Sequence, residues 1–223
     1  MSEKRKSRRQ SLSAEHIAAV ALKHIDIEGL EAFSFRKLGH ILRCEAMSIY
    51  YYYPSKAHLF DAMVDVCLSE IAIPPPPTPW IERIRIIAHE FRSMALRHSG
   101  FFQFFVTHRL NTPAGLHSLN EFMKIFEESG LSAEKRARHF RILSYFISGA
   151  ALDEALGYAK GPTAAVPVPD EVVVRDFQSL VAVGEYFKPQ YHLALFDAGL
   201  DVILRNMAED VARSADHFPD GTV

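Results

Sequence analysis

Four consecutive prolines, Pro74 to Pro77, followed after Thr78 by Pro79, constrain this chain more than any other feature. A proline ring fixes φ and removes the backbone N–H, so neither a helix interior nor a central strand runs through such a segment. Residues 74–79 therefore read as a stiff polyproline linker between two parts that must each bury their own apolar surface. With 223 residues, 48% of them hydrophobic, the chain has material for one or two domains. No run approaches the roughly 18 unbroken apolar residues of a membrane helix.

Helix punctuation is legible on both sides of the linker. Ser13 is a good N-cap, Leu12 and Ile17 form a hydrophobic staple, and Glu15 places negative charge in the first turn. Ile17, Val20, Ala21, His24 and Ile25 follow helical spacing, and Gly29 is expected to end this helix over 14–28 as a left-handed residue. Ser34 caps a second short helix with Phe35, Leu38, Ile41 and Leu42 inside and Arg36 and Lys37 projecting; a turn follows at 43–45. Ala46 to Tyr52 is long enough for two turns. Pro54 and Ser55 then open a helix carrying Leu59, Phe60, Met63, Val64, Cys67, Leu68 and Ile71.

Beyond the linker, Thr78 as N-cap with Pro79 at the first helical position predicts a helix over 79–98, which Gly100 should break. Phe101 to Val106 is almost wholly apolar. Thr112 and Pro113 start a helix closed by Gly130, and Ser132 caps the longest one, over 133–158. Residues 161–169 read as a loop, 170–187 as a weakly specified helix, and 189–212 as a final helix. No alternating strand pattern competes. The expected fold class is all-α: a small N-terminal domain of helix-turn-helix geometry over 13–73, and a larger helical domain over 80–223.

Charge is distributed unevenly. Lys4, Arg5, Lys6, Arg8 and Arg9 against Glu3 give residues 1–10 a charge of +4, so the remainder carries −6 of the overall −2. Residues 1–12 are thus a basic flexible arm, either solubilising or touching DNA phosphates. No apolar signal core follows it, and Cys44 and Cys67 are the only cysteines, so a reducing cytoplasm is the expected compartment.

Two short helices joined by a tight turn are the geometry that presents the second helix to the major groove of DNA. In residues 34–53 the second helix has Ile49 and Ala46 to face inward, while Met47, Ser48, Tyr50, Tyr51 and Tyr52 cannot all do so. Four consecutive tyrosines, 50–53, must wrap around it and leave at least two exposed, with hydroxyls that can donate to phosphate. Lys56, in the first turn of the next helix, can join backbone N–H groups in holding a phosphate.

The segments EGLEAFSFRKLGHIL and SIYYYYPSKAHLFDAM resemble the DNA-binding domain of the tetracycline-repressor family. Ser34, Arg36, Leu38, Ser48, Ile49, Tyr50, Tyr52 and Lys56 occupy the family's characteristic places, and Arg43 stands where the family usually has glycine in the turn. Together these observations nominate Ser34, Arg36, Lys37, Arg43, Met47, Ser48, Tyr50, Tyr51, Tyr52 and Lys56 for DNA contact. The segments RHSGFFQFF, LNEFMKIFEESGLS, YFISGAALDEA and FDAGLDVIL resemble the family's C-terminal domain. That resemblance implies a homodimer through the helices near 133–158 and 190–212, a palindromic operator and release by a small effector.

Aromatic density locates an effector pocket independently. Phe91, Met94, Phe101, Phe104, Phe105, His108, Phe122, Phe126, Tyr145 and Phe146 are the candidate ligand-binding residues, with His108, Gln103, Asn120 or Asp153 as polar points. An apolar or aromatic ligand follows. The metal-binding histidine of the namesake repressor falls at Phe104, and no paired metal-ligand spacing occurs, so no metal or cofactor is expected; His89, His98, His108 and His139 read as core or surface residues. An enzyme would need converging acid and base groups, but Asp153–Glu154 and Glu127–Glu128 are adjacent pairs that diverge on a helix, so no catalytic residue is nominated. The remaining alternative is a DNA-binding dimer of the same fold regulated by a protein partner.

Overall fold

The computed structural model describes residues 12–157 and 164–215. The basic arm expected over 1–12 lies, except for Leu12, outside the described residues, as does part of the expected loop at 161–169. Eleven α-helices make up the described chain, which contains no strand. The N-terminal group is α1 (Ala14–Glu28), α2 (Phe35–Leu42), α3 (Ala46–Tyr52) and α4 (Lys56–Ser69). Beyond the prolines come α5 (Trp80–Arg97), α6 (Ser99–Thr107), α7 (Pro113–Glu127), α8 (Ala133–Leu156), α9 (Asp170–Asp176), α10 (Gln178–Gly184) and α11 (His192–Ala215). None is long and apolar enough to cross a membrane.

Local chemistry sets most of these boundaries. The hydroxyls of Ser13, Ser34, Ser55, Thr112 and Ser132 each accept a backbone N–H in the first turn of the helix they precede. Such caps satisfy donors that have no partner inside the helix and contribute about 1 kcal/mol each. The Thr112 hydroxyl also donates to Asp65 Oδ1 at 2.6 Å, so the start of α7 is tied to α4.

Several expectations are corrected. The helix after the linker begins one residue late, with Pro79 rather than Thr78 at the N-cap. Residues 74–79 are non-helical but not one extended rod, because the Pro76–Pro77 peptide is cis and Thr78 N–H closes a turn onto Pro75 O at 3.3 Å. Gly29 has a positive φ of 82°, yet its ψ of 159° sends the chain into an extended exit instead of the left-handed helical well. Gly100 does not break a helix: α5 already ends at Arg97, with His98 as its C-cap, and Gly100 lies inside α6 against the end of α1. A Cβ there would stand 2.4 Å from Ile25 O, so only glycine permits this approach. Residues 170–187 form two short helices and a 3₁₀ turn, and a 3₁₀ turn over Pro189–Tyr191 precedes α11.

The apolar core does not divide at the prolines. One buried cluster joins α1 to α4 with Met94, Ala95, Phe101, Phe102 and Phe105 of α5 and α6, and with Ala151 and Ala155 of α8. A second gathers Ile84 and Ala88, Ile125 and Phe126, Leu143 and Ile147, and Phe196, Leu200, Leu204 and Met207 from α5, α7, α8 and α11. A buried polar clasp crosses α8 and α11, where His139 Nε2 lies 2.8 Å from Asp210 Oδ2 and Arg138 donates to the same oxygen at 2.6 Å.

The two parts also meet through charge. His98, between α5 and α6, places Nδ1 2.7 Å from Asp26 of α1 and Nε2 3.0 Å from Glu70 at the end of α4. Burial works against its charged form, but hydrogen bonds and charge from Asp26 and Glu70 outweigh it and hold His98 above the usual histidine range. Glu70 is half-buried, and although this desolvation works against its charged form, hydrogen bonds from His98 and Arg97 draw it below the usual carboxylate range.

Candidate nucleic-acid interface and ligand cavity

The second helix of the helix-turn-helix is anchored by Ile49, which is wholly buried, and by Tyr53, whose hydroxyl donates to Ala14 O at 2.8 Å. These residues are four apart, so they hold one face of α3 against α1. Met47, Tyr50 and Tyr51 are spaced i, i+3 and i+4 on the opposite face, with exposures of 75%, 44% and 85%. Tyr50 rests edge-on against Phe35, with ring centroids 4.7 Å apart. Ser48 is half-buried. Tyr52 departs from the expectation of a free hydroxyl: it is half-buried and donates to Leu12 O at 2.9 Å, which ties α3 to the chain just before α1.

Basic side chains flank the exposed face. Ser34, Arg36, Lys37, Arg43 and Lys56 are exposed or at the surface, and between residues 34 and 56 four Lys or Arg residues face a single acid, Glu45. Lys56 Nζ lies over the rings of Phe33 and Phe60, 5.3 and 5.0 Å from their centroids, which positions an exposed ammonium at the start of α4. Arg43 adopts the left-handed conformation, φ 54° and ψ 43°, that glycine would take without strain. The close packing of this turn falls elsewhere, at Gly39, where a Cβ would stand 2.8 Å from Cys44 O.

A cavity of about 560 Å³ opens among α4 to α8. Six of the ten nominated residues line it: Phe91, Phe105, His108, Phe122, Phe126 and Tyr145. The other four do not. Met94 and Phe101 are wholly buried in the core shared with α1 to α4, Phe104 packs on Phe60, and Phe146 is turned toward Phe196 of α11. Of the polar points, only His108 is in the wall; its Nε2 sits 2.9 Å from Asp61 of α4. Gln103 and Asn120 are absent from the wall, and Asp153 borders a separate hollow of about 180 Å³. Residues missed by aromatic counting include Ile84, Leu143 and Ile147, which match α5 and α8 apolar spacing, and Arg109 and Arg141. Leu68 and Ile71, at the end of α4, also form part of the wall.

A family model for the tetracyclin repressor-like C-terminal domain matches residues 73–211. The tetracycline repressor protein class E of Escherichia coli is 25% identical over 146 residues, spanning 64% of this chain and 69% of that protein. The HTH-type transcriptional repressor DrrR1 of Streptomyces coeruleorubidus is 24% identical over 143 residues, spanning 63% of this chain and 53% of that repressor. Among solved structures, the TetR family protein ActR of Streptomyces coelicolor in complex with actinorhodin matches with a TM-score of 0.70 at 24% identity, covering 91% of this chain and 99% of that one. BioQ with its double-stranded DNA operator matches with a TM-score of 0.61 at 16% identity, covering 89% and 99%. These structural likenesses concern the fold.

Proposed function

Because the chain belongs to the tetracycline-repressor family of transcriptional regulators, we propose that it is a repressor that holds a palindromic operator as a homodimer and releases it when a small apolar or aromatic ligand enters the cavity among α4 to α8. The observation that carries the DNA half of this reading is the stripe Met47, Tyr50 and Tyr51. These side chains stand exposed on a short helix whose other face is locked by Ile49, and Arg36, Lys37, Arg43 and Lys56 surround them. A rigid helix with outward polar and aromatic groups suits base edges and thymine methyls, while the flanking cations suit phosphates.

Dimerisation is supported by apolar surface that the chain leaves uncovered. In α11, Phe196, Leu200, Leu204 and Met207 face the chain's own core, whereas Leu195 and Val202 point outward at 54% and 64% exposure. No residue of α9 or α10 is buried, although Val174, Leu180 and Val181, and Phe177 between the two helices, are large and apolar. Surface of this kind calls for a partner, and a second copy places two α3 helices on one face of DNA.

Ligand control is supported by the cavity wall itself. The end of α4 contributes Leu68, and Ile71 follows two residues after the helix ends; the same helix is buried against α1 through Leu59, Met63 and Val64. A ligand that favours one position of α4 shifts the equilibrium between α3 spacings that fit the operator and those that do not. The test is a gel shift on DNA selected by the wild-type protein. Tyr51→Ala and Lys56→Ala should weaken binding while the dimer and its helicity persist; unchanged affinity in both would refute the interface.

A further inference from the structure

Among the described residues the cavity wall is apolar except for six, and none of these is acidic. Three of the six have limited freedom to choose a ligand's charge. His108 is committed to Asp61 and stacked on Phe104, and the Ser144 hydroxyl donates to Phe140 O at 2.7 Å within its own helix. Ser148 is a neutral hydroxyl. Arg109 and Arg141 are the two charged groups of the wall with no carboxylate partner among the described residues.

Eleven arginines follow the linker, and eight of them pair with a carboxylate: Arg83, Arg85, Arg92, Arg97, Arg136, Arg138, Arg175 and Arg213. Of these eleven, Arg109, Arg141 and Arg205 have no such partner among the described residues, and two of these three line the cavity. Both are exposed, which puts their charges toward its mouth. The Arg141 guanidinium lies 5.6 Å from the ring centroid of Tyr145, one turn along α8. A cation over that ring is attracted to its face, and a guanidinium with no carboxylate partner can receive a ligand carboxylate through two parallel hydrogen bonds.

Resting on the reading of this cavity as the effector site, we infer that the effector is an aromatic carboxylate whose apolar ring body fills the interior and whose anion is taken by Arg109 and Arg141. Cationic amphiphiles are disfavoured, since two cations and no acid line the wall. The volume suits a ligand of two to four fused rings.

Paired probes of one shape separate the charge from the cavity: anthracene-2-carboxylate and its methyl ester, titrated by fluorescence against the full-length protein. The wild type should bind the acid at least about tenfold more tightly than the ester, as expected for a charge-assisted pair. Arg109→Gln with Arg141→Gln should abolish this preference and leave the ester's affinity unchanged, and the corresponding double lysine variant should retain part of it. Equal binding of acid and ester by the wild type, or a preference that survives the double glutamine variant, would overturn the anion assignment while leaving the cavity as an apolar effector site. Failure of both probes to bind would overturn the effector-site reading and the anion assignment together.

Discussion

Replacing His98 by alanine tests how the DNA-reading helices are joined to the rest of the chain. The imidazole spans Asp26 and Glu70 at 2.7 and 3.0 Å, and the side chains of His98 and Asp26 are only 13% and 15% exposed. The second carboxylate oxygen of Asp26 is buried without a hydrogen-bond partner, so the histidine's charge is its main compensation. Hydrogen bonds to charged groups contribute about 1.5–3 kcal/mol each, and removal of one member leaves two acids facing one another. We expect a loss of about 3 kcal/mol, which at about 2–4 °C per kcal/mol lowers Tm by about 6–12 °C at fixed protein concentration. The effect depends on pH in a defined sense. His98 is held above its ordinary value of 6.5, so its contribution is complete below that value and fades as pH rises through the elevated one. Glu70 is held below its ordinary value of 4.5, so its contribution is complete above 4.5 and fades on acidification. The joint is strongest between these two values, with Arg97 and Cys67 the other titratable groups close by. Thermal melts of wild type and His98→Ala from about pH 6 to about pH 9 should show the gap in Tm narrowing as pH rises. A gap that stays constant, or one below about 1 kcal/mol at the acidic end, would refute the ion-paired joint.

Other substitutions probe single features. Arg43→Gly should raise stability by up to about 1 kcal/mol by removing left-handed strain, and should weaken operator binding through the lost cation; calorimetry and a gel shift read the two effects separately. Gly100→Ala forces a Cβ to within 2.4 Å of a backbone carbonyl, so α6 must move off α1; a fall in Tm equivalent to about 2 kcal/mol or more is expected, and a neutral result would mean the contact is looser than the structure has it. Ile49→Ala removes the anchor of α3 and should cost about 3 kcal/mol, with operator binding lost before the C-terminal helices melt, as judged by hydrogen exchange.

Much of the architecture was legible because helix ends are local events. Ser13, Ser34, Ser55, Thr112 and Ser132 each cap the helix expected of them, since the signal needs only one hydroxyl and the next three residues. Gly100 misled because the same residue type serves as a helix terminus and as a close-contact site, and only the position of α1, seventy-odd residues away in sequence, decides between them. The cavity was half legible. In α6 apolar residues surround the axis, so spacing alone cannot distinguish Phe105, which reaches the cavity as well as the shared core, from Phe101, which lies only in that core. Arg109 and Arg141 escaped notice because an arginine in a helical sequence ordinarily reads as solvated surface. The exposed tyrosines were expected, whereas the use of Tyr52 to fasten α3 to Leu12 depends on a hydrogen bond across forty residues.

Selection of bound duplexes from a random pool, followed by footprinting, tests the central claim most directly. The account predicts a two-fold symmetric sequence with half-site centres about 10 base pairs or a multiple of this apart, and Tyr51→Ala should lose preference within those half-sites. Enrichment of no sequence, or of an asymmetric site read equally well by Tyr51→Ala, would contradict it.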